Sequence, residues 1–486
     1  MRVEASHEGD RLTLRFTPQG EEPRQAGASM ARSETVLEPV PESPLHPDVV
    51  ALVALLCVRP WLDGQLEMDR PVSQVFAASV LAGEGVELGP VDPAVEPRTR
   101  TEGGPVALAY SGGVDCTAAL EVLGEGTRCY YQQRHRFDGQ PLEGPFDTSA
   151  AVAAVKHIQQ LGVQARTVRT DLELLREPVG FPHDLVNIAP ALLWADADGT
   201  SAVCWGTVLT SATLLGATAY RPYEESAFVA GFGPAFQAVG MPVANVIAGV
   251  SEMGTHLIAE RSRYGAVASS CQRGRPGQPC MECWKCGRKT LSVWGLADQW
   301  PEGPVLDRFL QQRAIAWNLR RRPIRVELAL AWAAGAYARS TTADGRSRVM
   351  QALHELTKGV DASPLTKVFL PAVDPMPARL REPAVAALRR HLEVMSPAEE
   401  QWVRDWTIEQ HGGEPERKKA RSALAAALDP ERNPTGLDDF DPQSLAPSQD
   451  LAFTVGEPSV GPAASGARRP RLLAWPRRAR ERRAGC

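Results

Sequence analysis

Between Val106 and about residue 300 the chain alternates short β-like runs with longer helix-like runs. "VALAY" and "RCYYQQ" suit strands, and "FDTSAAVAAVKHIQQLG" suits a helix. "QARTVRT" suits a third strand, "LVNIAPALLWADADG" a second helix and "SAVCWGT" a fourth strand. This rhythm predicts parallel strands joined by helical crossovers, an α/β fold with a doubly wound parallel sheet. Ligands of such folds gather beyond the C-terminal ends of the strands.

The flanks differ. Residues 1–100 open with an alternating strand, "RLTLRF", then a Pro/Glu-rich passage and a helix, which predicts an N-terminal α+β extension. "GPVDPAVEPRTRTEGGP" has the composition of a linker into the 101–300 domain. Residues 301–428 hold a series of amphipathic stretches, including "RFLQQRAIAWNL" and "PAVAALRRHLEV", and predict an α-helical domain with Trp317 and Trp332 in its core. Residues 429–486 are rich in Pro, Asp, Ser and Gly, end in an arginine-rich run, and are expected to be disordered.

The 486 residues suffice for two or three domains, and a net charge of -5 points to no global electrostatic partner. The arginine-rich end leaves contact with nucleic acid open. "VVALVALLCV" is too short to span a bilayer and predicts a buried helix, so no membrane association is expected. The first residues lack the apolar run of a signal peptide. Four of nine cysteines crowd into residues 271 to 286. Crowding of this kind suits a metal site in a reducing cytoplasm better than a disulfide framework.

Two motifs carry the chemistry. In "ALAYSGGVDCTAAL" a strand feeds a glycine turn and then a helix, so free backbone N–H groups and the helix dipole converge on one anion site. Gly112 and Gly113 permit close approach, and Ser111 and Thr117 add hydroxyls. Asp115 suits a Mg²⁺ ligand or a helix cap. The lysine of a Walker loop is missing, which argues against γ-phosphoryl transfer. Cys116 stands where a hydroxyl is expected. A helix N-terminus lowers a thiol pKa, while the simpler reading is a near-isostere, with Thr117 and the backbone carrying the binding. The second motif, Cys271, Cys280, Cys283 and Cys286, has the spacing C-x8-C-x2-C-x2-C, which predicts a closed, structural Zn²⁺ site. An iron–sulfur cluster is the alternative.

"SGGVDCT" resembles the PP-loop of the ATP pyrophosphatase superfamily. With the cysteine cluster following in order, residues 106 to about 300 resemble the 7-cyano-7-deazaguanine synthases, the QueC family. The resemblance implies a Rossmann-like fold of the HUP class, with ATP and Mg²⁺ as cofactors. The pyrophosphate site would comprise Ser111, Gly112, Gly113, Val114, Asp115, Cys116 and Thr117, with Asp115 as the catalytic residue. It implies an AMP-forming ligase that adenylates a carboxyl or amide group of a 7-deazaguanine-type or protein-terminus substrate. QueC-like proteins with extra domains also occur in bacterial anti-phage systems of the Qat type, which would give the helical domain protein partners. The alternatives are a tRNA-thiolating PP-loop enzyme and a non-catalytic, nucleotide-sensing assembly subunit.

His183 and Asp184, just before a helix, are substrate-contact candidates where the family has an Arg-Asn pair; Asp184 equally suits a cap. Arg221 and Glu252, in polar stretches that could reach the pocket, are further candidates, with a surface position as the simpler reading. Arg320, Arg321 and Arg322, between two helices, suit a phosphate, an acidic partner or a solvated helix end.

Overall fold

A computed structural model describes residues 1–19, 28–99, 101–142, 146–321, 324, 327–343, 345–408, 414–437 and 439–447. The arginine-rich end and Arg322 lie outside the described residues.

The strands are β1 (Arg2–Glu8), β2 (Arg11–Thr17), β3 (Ser29–Met30), β4 (Glu34–Glu38), β5 (Gln65–Val72), β6 (Glu87–Val91), β7 (Val106–Ala109), β8 (Arg128–Arg134), β9 (Gln164–Thr170), β10 (Arg176–Glu177) and β11 (Ala202–Cys204). Nine of them form one sheet in the order β11-β7-β8-β9-β4-β2-β1-β5-β6, and β3 pairs with β10 apart from it. The predicted strands "RLTLRF", "VALAY", "RCYYQQ", "QARTVRT" and "SAVCWGT" all contribute to the sheet. The set β11-β7-β8-β9 is parallel throughout. The sheet then runs without a break into the N-terminal segment, because β4 pairs antiparallel with β9, Leu37 facing Thr170. Pairing removes the free edge that β9 would otherwise expose.

Helices α1 (Pro47–Val58), α2 (Gln74–Glu84), α3 (Val114–Leu123), α4 (Ser149–Gln160), α5 (Ala189–Leu193), α6 (Leu209–Ala212), α7 (Gly233–Ala238), α8 (Glu252–Arg261) and α9 (Trp284–Ala297) accompany the sheet. Seven more follow: α10 (Gly303–Leu310), α11 (Arg313–Arg320), α12 (Glu327–Arg339), α13 (Arg348–Leu356), α14 (Ala378–His391), α15 (Pro397–Arg404) and α16 (Glu414–Ala427). The parallel strands alternate between two cores. Val106, Leu108, Cys129 and Tyr131 face the side of α3 and α4, and Ala107 and Tyr130 face the side of α1 and α5. Burial on both faces is why these strands are apolar without a clean alternation. The α3–α4 core continues into the C-terminal helices.

Three expectations are corrected. The helix expected over 185–199 is a 3-10 stretch, Asp184–Ile188, followed by the short α5, with turns beyond it. Pro190 lacks the N–H that a continuous helix would use, so it starts a new helix instead. Trp317 is 58% exposed, whereas Trp332 is 5% exposed and in the core. The described start of the expected disordered segment is packed. Asn433 is buried and donates to Asp307 Oδ2 at 2.9 Å and to the Ala427 carbonyl at 3.0 Å.

Candidate functional site

The chain leaves β7 toward β8 on one side, while β11 lies on the other. This reversal of strand order opens a crevice at the strand ends, and the glycine loop sits there. Gly112 has φ +72°, and a Cβ on it would lie 2.4 Å from Ala154 Cβ of α4. Only glycine satisfies both the left-handed backbone and that close approach. Gly113 is the N-cap of α3 and makes no side-chain cap bond. Gly113 therefore gives the first-turn N–H groups of α3 no cap of its own, the arrangement that receives anions, although the Val114 N–H donates to Ser270 Oγ at 3.4 Å.

A cavity of about 420 Å³ opens on this loop. Ser111, Gly113, Asp115 and Cys116 line it. Gly112 backs the loop, and Val114 and Thr117 are buried away from the cavity. Thr117 faces Tyr110, with hydroxyls 3.4 Å apart. Thr117 was expected among the donors of the loop; its place inside the first turn of α3 turns it into the core. Cys116 donates its thiol to the Gly113 carbonyl at 3.1 Å. Burial pushes its pKa up, overriding the helix N-terminus that was expected to lower it.

Both oxygens of Asp115 accept from Lys289 Nζ, at 2.9 and 2.8 Å, and one also accepts from Thr255 Oγ1 at 2.8 Å. Burial opposes ionisation of Asp115, but Lys289 and Thr255 outweigh it and hold the carboxyl down at about 2. The loop's carboxylate is therefore held by an ammonium rather than offered to Mg²⁺. His256 lies buried behind the pair; burial and the charge of Lys289 push its pKa down to about 3, so it is neutral.

Lys289 belongs to α9, which also presents Lys285 and Arg288 to the cavity. Positions 285, 288 and 289 share one helix face. Arg288 pairs with Glu252, whose side chain is 6% exposed. Lys285 has no ion-pair partner among the described residues. These three cations answer the absence of a lysine in the loop itself. They were overlooked in the sequence, where "CWKCGRK" shows them at helical spacing on either side of the last cysteine, Cys286.

The cysteines build the start of α9. Cys271, Cys280, Cys283 and Cys286 bring four sulfur atoms within 4.8 Å of one another. None of the eight described cysteines is in a disulfide. Cys283 is the N-cap of α9, and its Sγ accepts from the Cys286 N–H at 3.4 Å. Cys271 Sγ accepts from the N–H groups of Arg273 and Cys280, at 3.4 and 3.3 Å. The eight-residue insert closes as a tight hairpin between Arg275 and Gln278, where a Cβ on Gly274 would meet the Gln278 carbonyl at 2.4 Å. Four converging thiols, with N–H donors to their sulfurs, fit a tetrahedral metal ion such as Zn²⁺. The loop ahead of Cys271 also holds the glycine turn: Ser269 N–H donates to the Gly112 carbonyl at 2.8 Å, and Ser270 Oγ accepts from Val114 N–H at 3.4 Å.

The remaining candidates separate. Asp184 lines the cavity. His183 does not: its Nδ1 accepts from Leu185 N–H at 3.2 Å, and its ring packs on Phe232, so His183 is the cap and Asp184 is free of that role. Glu252 lies on the first turn of α8 and reaches the site through Arg288. Arg221 lies outside the cavity, its N–H bonded to the Thr213 carbonyl at 2.9 Å. Phe146, Phe181 and Phe228 also line the cavity, together with Gln132, Asn187 and Trp205. Gln132 Oε1, Asn187 Oδ1 and Trp205 Nε1 are buried without a hydrogen-bond partner, a condition that a bound polar ligand relieves. Gly206 next to them brings the chain close to α3; a Cβ there would lie 3.2 Å from the Cys116 nitrogen.

The fold and site define a mixed α/β protein with a glycine loop at a strand-order reversal and a cysteine-built helix facing it. Residues 231–407 match a family of unknown function, DUF6395. The match covers less than half of the chain; it includes the cysteine cluster and α9 and leaves out the glycine loop. No curated protein and no solved structure matches the chain. No described helix is long and apolar enough to cross a membrane.

Proposed function

We propose that the chain is an AMP-forming, ATP-dependent ligase of the PP-loop kind, on a HUP-type Rossmann-like domain similar to the QueC family. The observation that carries this reading is the cavity at the strand-order reversal, where the glycine loop and the cations of α9 face each other. The loop N–H groups and Lys285 bind the phosphates of ATP. Lys289 keeps Asp115 ionised and in place. An acceptor carboxylate oxygen attacks the α-phosphorus, the bond from that phosphorus to the bridging oxygen of the β-phosphate breaks, and pyrophosphate leaves on the loop; ammonia then adds to the acyl carbon, the bond from that carbon to the phosphate oxygen breaks, and AMP leaves. Zinc, held by the four cysteines, supplies a structural clamp that sets α9 against the loop. No step is assigned to Mg²⁺ at Asp115.

The aromatic and polar lining of the cavity supports a flat, edge-polar acceptor. Phe146, Phe181 and Phe228 offer faces, and Gln132, Asn187 and Trp205 offer unmatched polar atoms. A 7-deazaguanine carboxylate meets that description. A cytoplasmic role in Qat-type defence, with partners on the helical domain, rests on the resemblance.

The test is zinc-loaded full-length protein with ATP, Mg²⁺, an ammonium salt and either a 7-deazaguanine carboxylate or a protein-terminus substrate, read by ³¹P NMR. AMP and pyrophosphate are expected. Release of ADP alone, or absence of ATP binding, refutes the reading.

A further inference from the structure

Trp317 on α11 is the most exposed large apolar side chain described, at 58%. It stands in an open groove of about 820 Å³ on the outer side of the cysteine loop. Arg273, Trp284, Arg308, Arg313 and Phe440 share that groove. Glu282 is its single acidic residue among those described. The side chains of Arg273, Arg308 and Arg313 make no ion pair or hydrogen bond with described residues. Three guanidinium groups lining one groove, against one carboxylate, make it a basic surface that favours anions. Arg321 lies over the Trp317 ring, 4.6 Å from its centroid.

A phosphate-bearing ligand answers the three arginines, and a ligand with flat rings answers Trp317. One chemistry offers both at regular spacing: a nucleic-acid strand whose bases are free to stack. A duplex hides its base faces in its own stack, which leaves an aromatic platform without use. We propose that this groove binds single-stranded nucleic acid, with a base on Trp317 and phosphates on Arg273, Arg308 and Arg313. Arg273 and Trp284 sit one residue from Gln272 and Lys285, which line the glycine-loop cavity. The cysteine loop is thus a shared wall between the groove and the glycine-loop cavity.

The test uses the zinc-loaded full chain and labelled oligouridylate or oligothymidylate about twelve nucleotides long, followed by fluorescence anisotropy over a salt series. Binding that weakens steeply with salt is expected. Trp317→Ala should raise Kd by about 5- to 150-fold, the range for loss of one stacking contact, and Trp317→Phe should recover most of it. Arg313→Gln and Arg308→Gln should each lower the magnitude of the salt slope by about one. Trp317 and Arg313 are exposed, so thermal melts of these variants should match the parent. No binding of either oligonucleotide at low salt overturns the proposal. Binding unchanged by Trp317→Ala and Arg313→Gln also overturns it, by assigning the affinity to the arginine-rich end. So does displacement by poly-glutamate as readily as by unlabelled oligonucleotide, which marks an acidic-peptide site.

Discussion

Replacing Lys289 with methionine tests the link between the cysteine-built helix and the glycine loop. The volume of the side chain is nearly kept, but Asp115 loses both bonds from Nζ. The two side chains are 8% and 26% exposed, so water can relieve only part of the loss. Asp115 is held at about 2, against an ordinary value of 3.8. At about 1.36 kcal/mol per unit of pKa, that difference is on the order of 2 kcal/mol favouring the folded state. Lys289 moves the other way in sign: burial lowers its pKa more than Asp115 raises it, so its own burial costs stability. The net value of the pair is therefore smaller than the Asp115 contribution alone. Removing one partner still leaves a carboxylate stranded, and about 2 kcal/mol of destabilisation is expected. Because the folded pKa of Asp115 is depressed, its contribution is complete above about pH 4 and is lost as pH falls through 2. The assay is urea denaturation of parent, Lys289→Met, Asp115→Asn and the double variant at pH 7, with bound zinc measured in each. Lys289→Met should be less stable than the double variant. Equal stability of Lys289→Met and the parent, or of Lys289→Met and the double variant, refutes the stranded-charge argument.

Gly112→Ala should destabilise the chain by about 2 kcal/mol or more, from the left-handed backbone and the clash with Ala154, read by thermal or urea unfolding. Gly113→Ala meets only ordinary contacts, the nearest at 3.7 Å, and should leave unfolding within about 1 kcal/mol while weakening ATP binding, since Gly113 lines the cavity. Cys116 should react with iodoacetamide more slowly than an exposed thiol at neutral pH, as followed by mass spectrometry. Zinc analysis should find one ion per chain, lost in Cys286→Ser. Hydrogen exchange should then rise at 269–289 and also at Gly112–Val114, because Ser269 and Ser270 bridge the two loops.

The glycine loop and the cysteine cluster were legible because each is a local device. A left-handed turn and a close backbone approach demand glycine within two or three residues, and x2 spacing brings thiols together over one helical turn. Lys285, Arg288 and Lys289 were harder to assign, although their helical spacing is visible, since nothing local says what the face they share will meet. The same limit explains Asp115. Its carboxylate could serve a metal, a cap or an ion pair, and only the position of α9 selects the ion pair.

Chain order by itself determined the alternation of strand and helix, the buried character of α1 and the metal-type grouping of four thiols. Those follow from periodicity, apolar length and covalent spacing, which act over a few residues. Tertiary structure decided the rest. It extended the sheet from β9 into the N-terminal segment, turned Thr117 inward, made His183 the cap, and set Glu252 behind Arg288. It also packed Asn433 onto Asp307 and left Trp317 in the open. Each of these depends on which distant surface arrives opposite a given side chain, and burial, pairing and pKa are properties of that meeting rather than of the residue.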